Sequence, residues 1–196
     1  LAELGRELPI LCTVTIETTG QMLMGSEIGA ALTTLEPLGL AALGVNCATG
    51  PEMMHEHLRY LAQHSTLPIM VQPNAGLPRV ENGQAVYDLS AAQLAAAHET
   101  FIADYSARII GGCCGTTPEH MRAVVDAVWG RVAPERTADF ELGASSLFTP
   151  VPYEQDASFL IVGERANANG SHKFKRLLAE ENWDEMANLV RDQAKD

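Results

Sequence analysis

The densest chemistry in the sequence is the run Gly111-Gly112-Cys113-Cys114-Gly115-Thr116-Thr117-Pro118. Cysteine acts as a soft ligand or nucleophile as the thiolate, so two adjacent cysteines call for a setting that favours the anion. Thr117 followed by Pro118 reads as the cap and first residue of a helix, and the exposed N–H groups at a helix start favour negative charge. On a regular strand neighbouring side chains face opposite ways, so the pair could not share one metal there. The flanking glycines permit a bulge or a positive-φ turn that lifts this limit. Cys47, in Gly44-Val45-Asn46-Cys47-Ala48-Thr49-Gly50, supplies a third thiol. Three thiolates with one open position describe a catalytic zinc site rather than a closed structural one. From the residues alone, that reading stands beside a vicinal disulfide and beside buried small side chains. Asn74, in Pro73-Asn74-Ala75-Gly76, reads either as an oxygen ligand in the absence of substrate or as a turn-forming residue. Cys12 has no glycine around it and reads as core. His55 and His57, two apart on one helical stretch, point to different faces and read as solvated.

The elements that must position these residues alternate short apolar runs with amphipathic stretches. Residues 9–17 read as a strand, 26–38 as a helix with Ile28, Ala31, Leu32 and Leu35 on one face, and 40–46 as a second strand. A helix over 51–64 carries Met54, Leu58 and Leu61 and has Pro51 in its first turn. Residues 68–72 form a third strand. The helix over 90–105 opens on a Ser90/Gln93 capping box and buries Leu94, Ala97, Phe101 and Tyr105. Residues 108–112 form a fourth strand, and the helix from Pro118 has Met121, Val124, Val125 and Val128 on its apolar side. Four βα units in succession imply a parallel sheet with right-handed crossovers. The count fits either half of an eight-stranded barrel, which takes about 250 residues when whole, or a small doubly wound sheet. Both architectures put their chemistry at the C-terminal ends of the strands, where Cys47 and the cysteine pair fall. Pro134, Gly143, Pro150 and Pro152 then break every period, so 133–157 reads as an interdomain linker whose Phe140, Phe148 and Tyr153 pack along a surface. A new unit follows, with a strand over 159–162, a polar loop over 163–170 and helix from Ser171 onward.

The chain has 196 residues, 13 Lys+Arg against 25 Asp+Glu and a formal charge of −12. Hydrophobic residues make up 46% and charged ones 19%, which is a globular composition. The acidic balance, with a pI of about 4.8, argues against binding to nucleic acid or to an anionic membrane surface. No window approaches the ~18 apolar residues of a membrane span, and no basic-then-apolar leader is present. Four unevenly spaced cysteines fit the reducing cytoplasm rather than a disulfide framework. The pattern opens part-way through at Leu1 and stops inside a helical stretch, so the chain reads as a fragment.

The segments GVNCATG, VQPNAGLP and GGCCGTTPEH resemble the C-terminal half of the homocysteine S-methyltransferase domain. The segment VPYEQDASFLIVGERANANGSHKFKRLL resembles the linker and start of a methyltetrahydrofolate, or pterin, binding domain. In that order they resemble the cobalamin-dependent methionine synthase family over essentially the whole chain. The resemblance implies an α/β fold: the C-terminal half of a (βα)8 TIM-type barrel in 1–132, a linker in 133–157, and the first βα unit of a second barrel in 158–196. Cys47, Cys113 and Cys114 match the family's three zinc-binding cysteines, and Asn74 matches the Asn beside the metal. Gly163-Glu164-Arg165 and Asn167 match the loop that opens the pterin barrel, with Asn167 a candidate folate contact. Ala166 stands where the family usually has Thr, and Glu164 with Arg165 reads equally as a structural ion pair.

The implied activity moves a methyl group from 5-methyltetrahydrofolate, through a cobalamin carried on a further module, to zinc-activated homocysteine, giving methionine. A free thiol, with a pKa near 8.5, is mostly protonated at neutral pH, and coordination to zinc removes that proton. The metal ligands therefore carry the chemistry, no separate catalytic residue is named, and the fragment by itself is expected to be inactive. Two other readings stand beside this one. One is a zinc-dependent homocysteine methyltransferase that uses a small sulfonium or ammonium donor. The other is a noncatalytic zinc-binding α/β module, which a fully protein-ligated ion would mark.

Overall fold

The computed structural model describes residues 8–157, 160 and 166–193. Two compact units divide at Tyr153 and Glu154. In the first, the strands β1 (Leu11–Val14), β2 (Ala42–Asn46) and β3 (Ile69–Gln72) precede the hairpin strands β4 (Arg79–Glu81) and β5 (Gln84–Val86), and β6 (Ala107–Ile110) closes the main sheet. The sheet order is β1-β2-β3-β6 and every pairing is parallel. The expected succession of βα units is therefore present, a mixed α/β fold with sequential parallel strands.

Three helices, α1 (Ile28–Leu35), α2 (His55–His64) and α3 (Ala91–Tyr105), cover one face of this sheet. Parallel neighbours in register point the same way. Leu43, Val45, Ile69 and Val71, each at most 1% exposed, meet Ile28, Leu32, Leu58, Leu61 and Phe101 in a single core. Cys12 packs against it, as expected of a core residue. The other face carries Thr13, Gly44, Met70 and Ile109, paired across the strands. The helix α4 (Pro118–Val128) packs through Val124 on Leu94 and Ala95. Val125, expected on its apolar side, is instead 49% exposed.

The capping chemistry follows the sequence. Ser90 and Gln93 close a capping box on α3, and Thr117 with His120 closes one on α4, whose first residue is Pro118. Helix α1 is shorter than the pattern predicts and runs into a 3-10 turn at Glu36–Leu38, where Pro37 removes a backbone donor. A 3-10 turn at Pro51–Met54 leads into α2.

The histidines of α2 correct the sequence reading. His57 is buried, and burial lowers its pKa. His55 Nδ1 lies 3.0 Å from the Tyr105 hydroxyl, with its ring edge-on to Phe101 and Tyr105. Helix α2 lies between α1 and α3, so both its flanks are covered rather than solvated.

Two hairpins stand where no element was expected. β4 and β5 pair antiparallel around Asn82 (φ 51°) and Gly83 (φ 78°). Both central residues have positive φ, as a type I′ turn requires. β7 (Gly143–Ser145) and β8 (Pro150–Pro152) form the second hairpin, which sits on α1. Gly29 makes that close approach possible: a Cβ there would lie 2.8 Å from the Pro150 ring and 2.7 Å from the Tyr60 hydroxyl. Arg136 reaches from the intervening chain to the carbonyls of Ala62, Ser65 and Leu67.

In the second unit, α5 (His172–Ala179) and α6 (Trp183–Gln193) lie where the sequence reads as helix from Ser171 onward. Ser171 caps α5 by accepting from the Phe174 amide. Of the expected strand over 159–162 only Leu160 is described, and the loop residues Gly163, Glu164 and Arg165 lie outside the described residues. No helix among the described residues is long and apolar enough to cross a membrane.

Candidate metal centre

Cys47 follows β2 directly and has a left-handed backbone (φ 58°), as does Ala48 (φ 53°). Such a conformation costs of order 1–3 kcal/mol per non-glycine residue and marks sites held by their surroundings. Cys113 and Cys114 lie beyond the end of β6, in a turn completed by Gly115 at φ 78°. Strand alternation does not apply to them there, which is how two neighbours face one point.

The Sγ atoms of Cys47, Cys113 and Cys114 lie within 4.8 Å of one another, and Cys47 and Cys114 are 3.5 Å apart. Three sulfurs around a tetrahedral zinc, at Zn–S of about 2.3 Å, would be separated by about 3.8 Å. The donor set and its spacing fit a zinc ion. Among the described residues no fourth Cys, His, Asp or Glu joins the group. Cys114 is exposed, so the cluster opens outward.

Peptide groups lace the three loops together. Cys47 N donates to Gln72 O at 2.9 Å, Cys113 N to Pro73 O at 2.8 Å, and Ala75 N to Cys114 O at 2.9 Å. Asn74 N donates to Thr49 O at 3.1 Å. The Asn74 side chain, 3% exposed, accepts the Cys114 amide at Oδ1 (3.1 Å). The structure thus places Asn74 against the cluster, with its oxygen already shaping the cysteine turn. Thr116 steadies the same turn by donating its hydroxyl to Cys113 O at 2.7 Å.

Proximity couples the thiols. Burial alone would raise the Cys47 pKa, but hydrogen bonds from Cys113, the Ala48 backbone and Cys114 bring it below the ordinary thiol value. Burial, with the hydrogen bond to Cys47, pushes Cys113 up to about 11. A cluster that favours one thiolate among neighbours is prepared to give up its remaining protons to a cation.

Tyr87, which the sequence reading did not single out, lies over this cluster. It follows β5, and desolvation, with the neighbouring Cys114, raises its pKa above the ordinary phenol value. Its ring rests on Gly115, where a Cβ would come within 2.2 Å of Tyr87 Cγ. The Asn82-Gly83 turn signal could have revealed the hairpin that delivers it.

Asn167, in the second unit, is exposed. Its Oδ1 accepts from the Asn169 amide at 2.8 Å, in the turn before α5.

Comparison with known proteins extends this picture. Residues 1–128 match the family described as homocysteine S-methyltransferase. Methionine synthase of Mycobacterium tuberculosis (strain ATCC 25618 / H37Rv) is 50% identical over 192 residues, 98% of this chain and 16% of the relative. Methionine synthase of Mycobacterium leprae (strain TN) is 46% identical over 200 residues, all of this chain and 17% of the relative. The chain spans about a sixth of the length of these relatives.

Proposed function

Because the chain belongs to the homocysteine S-methyltransferase family, we propose that Cys47, Cys113 and Cys114 hold a zinc ion and that this centre activates the homocysteine thiol for methylation. The convergence of three sulfurs within 4.8 Å, at the C-terminal ends of β2 and β6, carries the reading. When bound, zinc would supply the Lewis acidity that removes the proton from an incoming thiol and keeps its sulfur anionic at neutral pH. The three cysteines offer soft anionic donors, which leave more electron density on a fourth sulfur than a histidine set would. Cys114 faces outward and leaves an approach from solvent. Asn74, whose oxygen keeps a second lone pair beyond the Cys114 amide, or a water, would fill the fourth place until substrate arrives. That openness favours the catalytic reading over a closed structural zinc module.

The finer assignment rests on the relatives and on the motifs of the second unit. Under it the main sheet is the C-terminal half of a (βα)8 barrel in 1–132, 133–157 link it onward, and 158–196 begin a folate-binding barrel in which Asn167 contacts the pterin. The methyl group would come from 5-methyltetrahydrofolate through a cobalamin held elsewhere in the longer protein, giving methionine. Four free thiols suit a reducing compartment such as the cytoplasm.

Zinc-edge X-ray absorption on the full-length protein tests the central claim. Three sulfur neighbours should become four when homocysteine saturates the site; a count that stays at three would remove the mechanism. Replacing any one of the three cysteines with Ser should lower zinc occupancy sharply and abolish methyl transfer to homocysteine, while methylation of cobalamin by folate persists. Asn167→Ala should show the reverse pattern.

A further inference from the structure

A cavity of about 430 Å3 lies between the N-terminal halves of α1 and α2, walled by the loop after β1. All its lining residues belong to the first unit, and neither Asn74 nor any of the three clustered cysteines is among them. Its size suits a small organic molecule. Two kinds of unmet polar group line it, and they ask for opposite charges.

The first kind is a set of donors. Helix α1 begins without a side-chain cap, because Glu27 at the N-cap position makes no capping hydrogen bond. The amides of Ile28 and Gly29, both buried and both lining the cavity, have no acceptor among the described residues. Buried amides are nearly always paired, and those at a helix start favour an anion. The Tyr60 hydroxyl stands beside them: a Cβ on Gly29 would lie 2.7 Å from it. Desolvation, with Glu141 and Glu27 nearby, raises the Tyr60 pKa and keeps the phenol a donor.

The second kind is a set of acceptors. Glu27, half-buried, and Glu56, exposed, line the cavity and form no ion pair among the described residues. His57, 8% exposed, lines it too, and neither ring nitrogen has a hydrogen-bond partner among the described residues. Burial lowers its pKa, which the Glu56 carboxylate partly offsets. The ring is therefore neutral at neutral pH and keeps one lone pair with which to accept.

A plain anion would meet both carboxylates, and a plain cation would leave the amides unpaired at the positive end of α1. Nor do these side chains form a metal-ligand group: among the described residues only the cysteine cluster does. We propose that the cavity binds a free α-amino acid as its zwitterion. The carboxylate lies on the Ile28 and Gly29 amides and the Tyr60 hydroxyl, and the ammonium group lies among His57, Glu27 and Glu56. An α-amino acid carries its two charges on neighbouring groups, as this lining requires. The site stands apart from the zinc reading and does not depend on it.

Calorimetric titration of the full-length protein with three probes tests this. L-Leucine carries both charges and has no sulfur to offer a metal; 4-methylpentanoate lacks its ammonium group, and 3-methylbutylamine lacks its carboxylate. Only L-leucine should bind saturably, and binding should persist after a chelator has removed any metal. Glu27→Gln and Tyr60→Phe, which keep the size of each side chain, should each weaken it about tenfold or more, the factor of one hydrogen bond to a charged group. Circular dichroism should be unchanged; if one variant fails to fold, the other and the three-probe comparison still decide. Saturable binding of the amine or of the carboxylate alone, at an affinity equal to that of L-leucine, overturns the zwitterion site. So does the absence of L-leucine binding, or L-leucine binding that folded variants leave undiminished. Loss of binding on chelation would assign the amino acid to the metal centre and overturn it as well, leaving the zinc reading intact.

Discussion

His98 sits in the core of α3, 0% exposed, with neither ring nitrogen hydrogen-bonded in good geometry among the described residues. Burial pushes its pKa down to about 4 from the ordinary 6.5, a shift the nearby Gly111 backbone only partly offsets. Between those values the unfolded chain binds a proton that the folded chain refuses. Its contribution to stability is complete above pH 6.5, falls as pH drops through that window, and falls no further below about 4. The slope reaches at most ~1.4 kcal/mol per pH unit. His98→Leu, of similar volume, should flatten the decline in melting temperature between pH 6.5 and 4. An equally steep decline in the variant would place the acid sensitivity elsewhere. Asn74→Ala should weaken zinc binding about 10- to 100-fold by freeing the Cys114 amide that shapes the turn, the range seen for outer-sphere ligand supports; competition with a chromophoric chelator measures it. Cys47, Cys113, Cys114 and Asn74 were legible in the sequence because glycines and prolines crowd around them and announce tight turns. Tyr87 and His98 were not, because an aromatic or a histidine in an ordinary stretch carries no local sign of what it will face.

Elements rather than residues account for the remaining differences between expectation and structure. Strong periodicity and capping residues foretold α2, α3, α4 and the four parallel strands to within a few residues. Ser90→Ala should cost about 1 kcal/mol by opening the α3 capping box, read as a lower denaturation midpoint at unchanged slope. The β4–β5 hairpin carried its Asn-Gly signal, but its strands are three residues each and almost wholly exposed, so no buried apolar face frames the turn. The β7–β8 hairpin had no signal at all. Pro150 and Pro152 discourage strand assignment, and they are tolerated because the pair is two-stranded and lies at an edge. What anchors the chain before it is Arg136, one guanidinium serving three backbone carbonyls at the end of α2 and the start of β3. Arg136→Ala should destabilise the first unit by about 1–3 kcal/mol through those unmet acceptors, and a ΔΔG near zero in urea would deny it that role.

At the scale of the whole molecule, β1 and β6 are edges of the main sheet without a further strand partner among the described residues, and one sheet face bears Met70 and Ile109, both half-buried, and Leu11, 50% exposed. Open edges and apolar faces invite pairing with other chains, and a charge of −12 resists it. Self-association should therefore grow with protein concentration and with added salt, which screens the repulsion; light scattering across an ionic-strength series measures it, and a monomer at high salt would contradict it. The lacing of the cysteine loops has a different consequence. Those loops are joined peptide to peptide, through Gln72, Pro73, Asn74 and Ala75, and a packed core stands beneath them. In a zinc finger the ion is the core, and removing it unfolds the chain. Here the cysteine cluster belongs to the fold, so under the zinc reading proposed above a chelator should strip the ion and leave circular dichroism and melting cooperativity in place, and added zinc should restore the site within mixing time. Such a protein can be loaded late, after synthesis and folding are complete, and can lose and regain its ion through scarcity without passing through an unfolded chain.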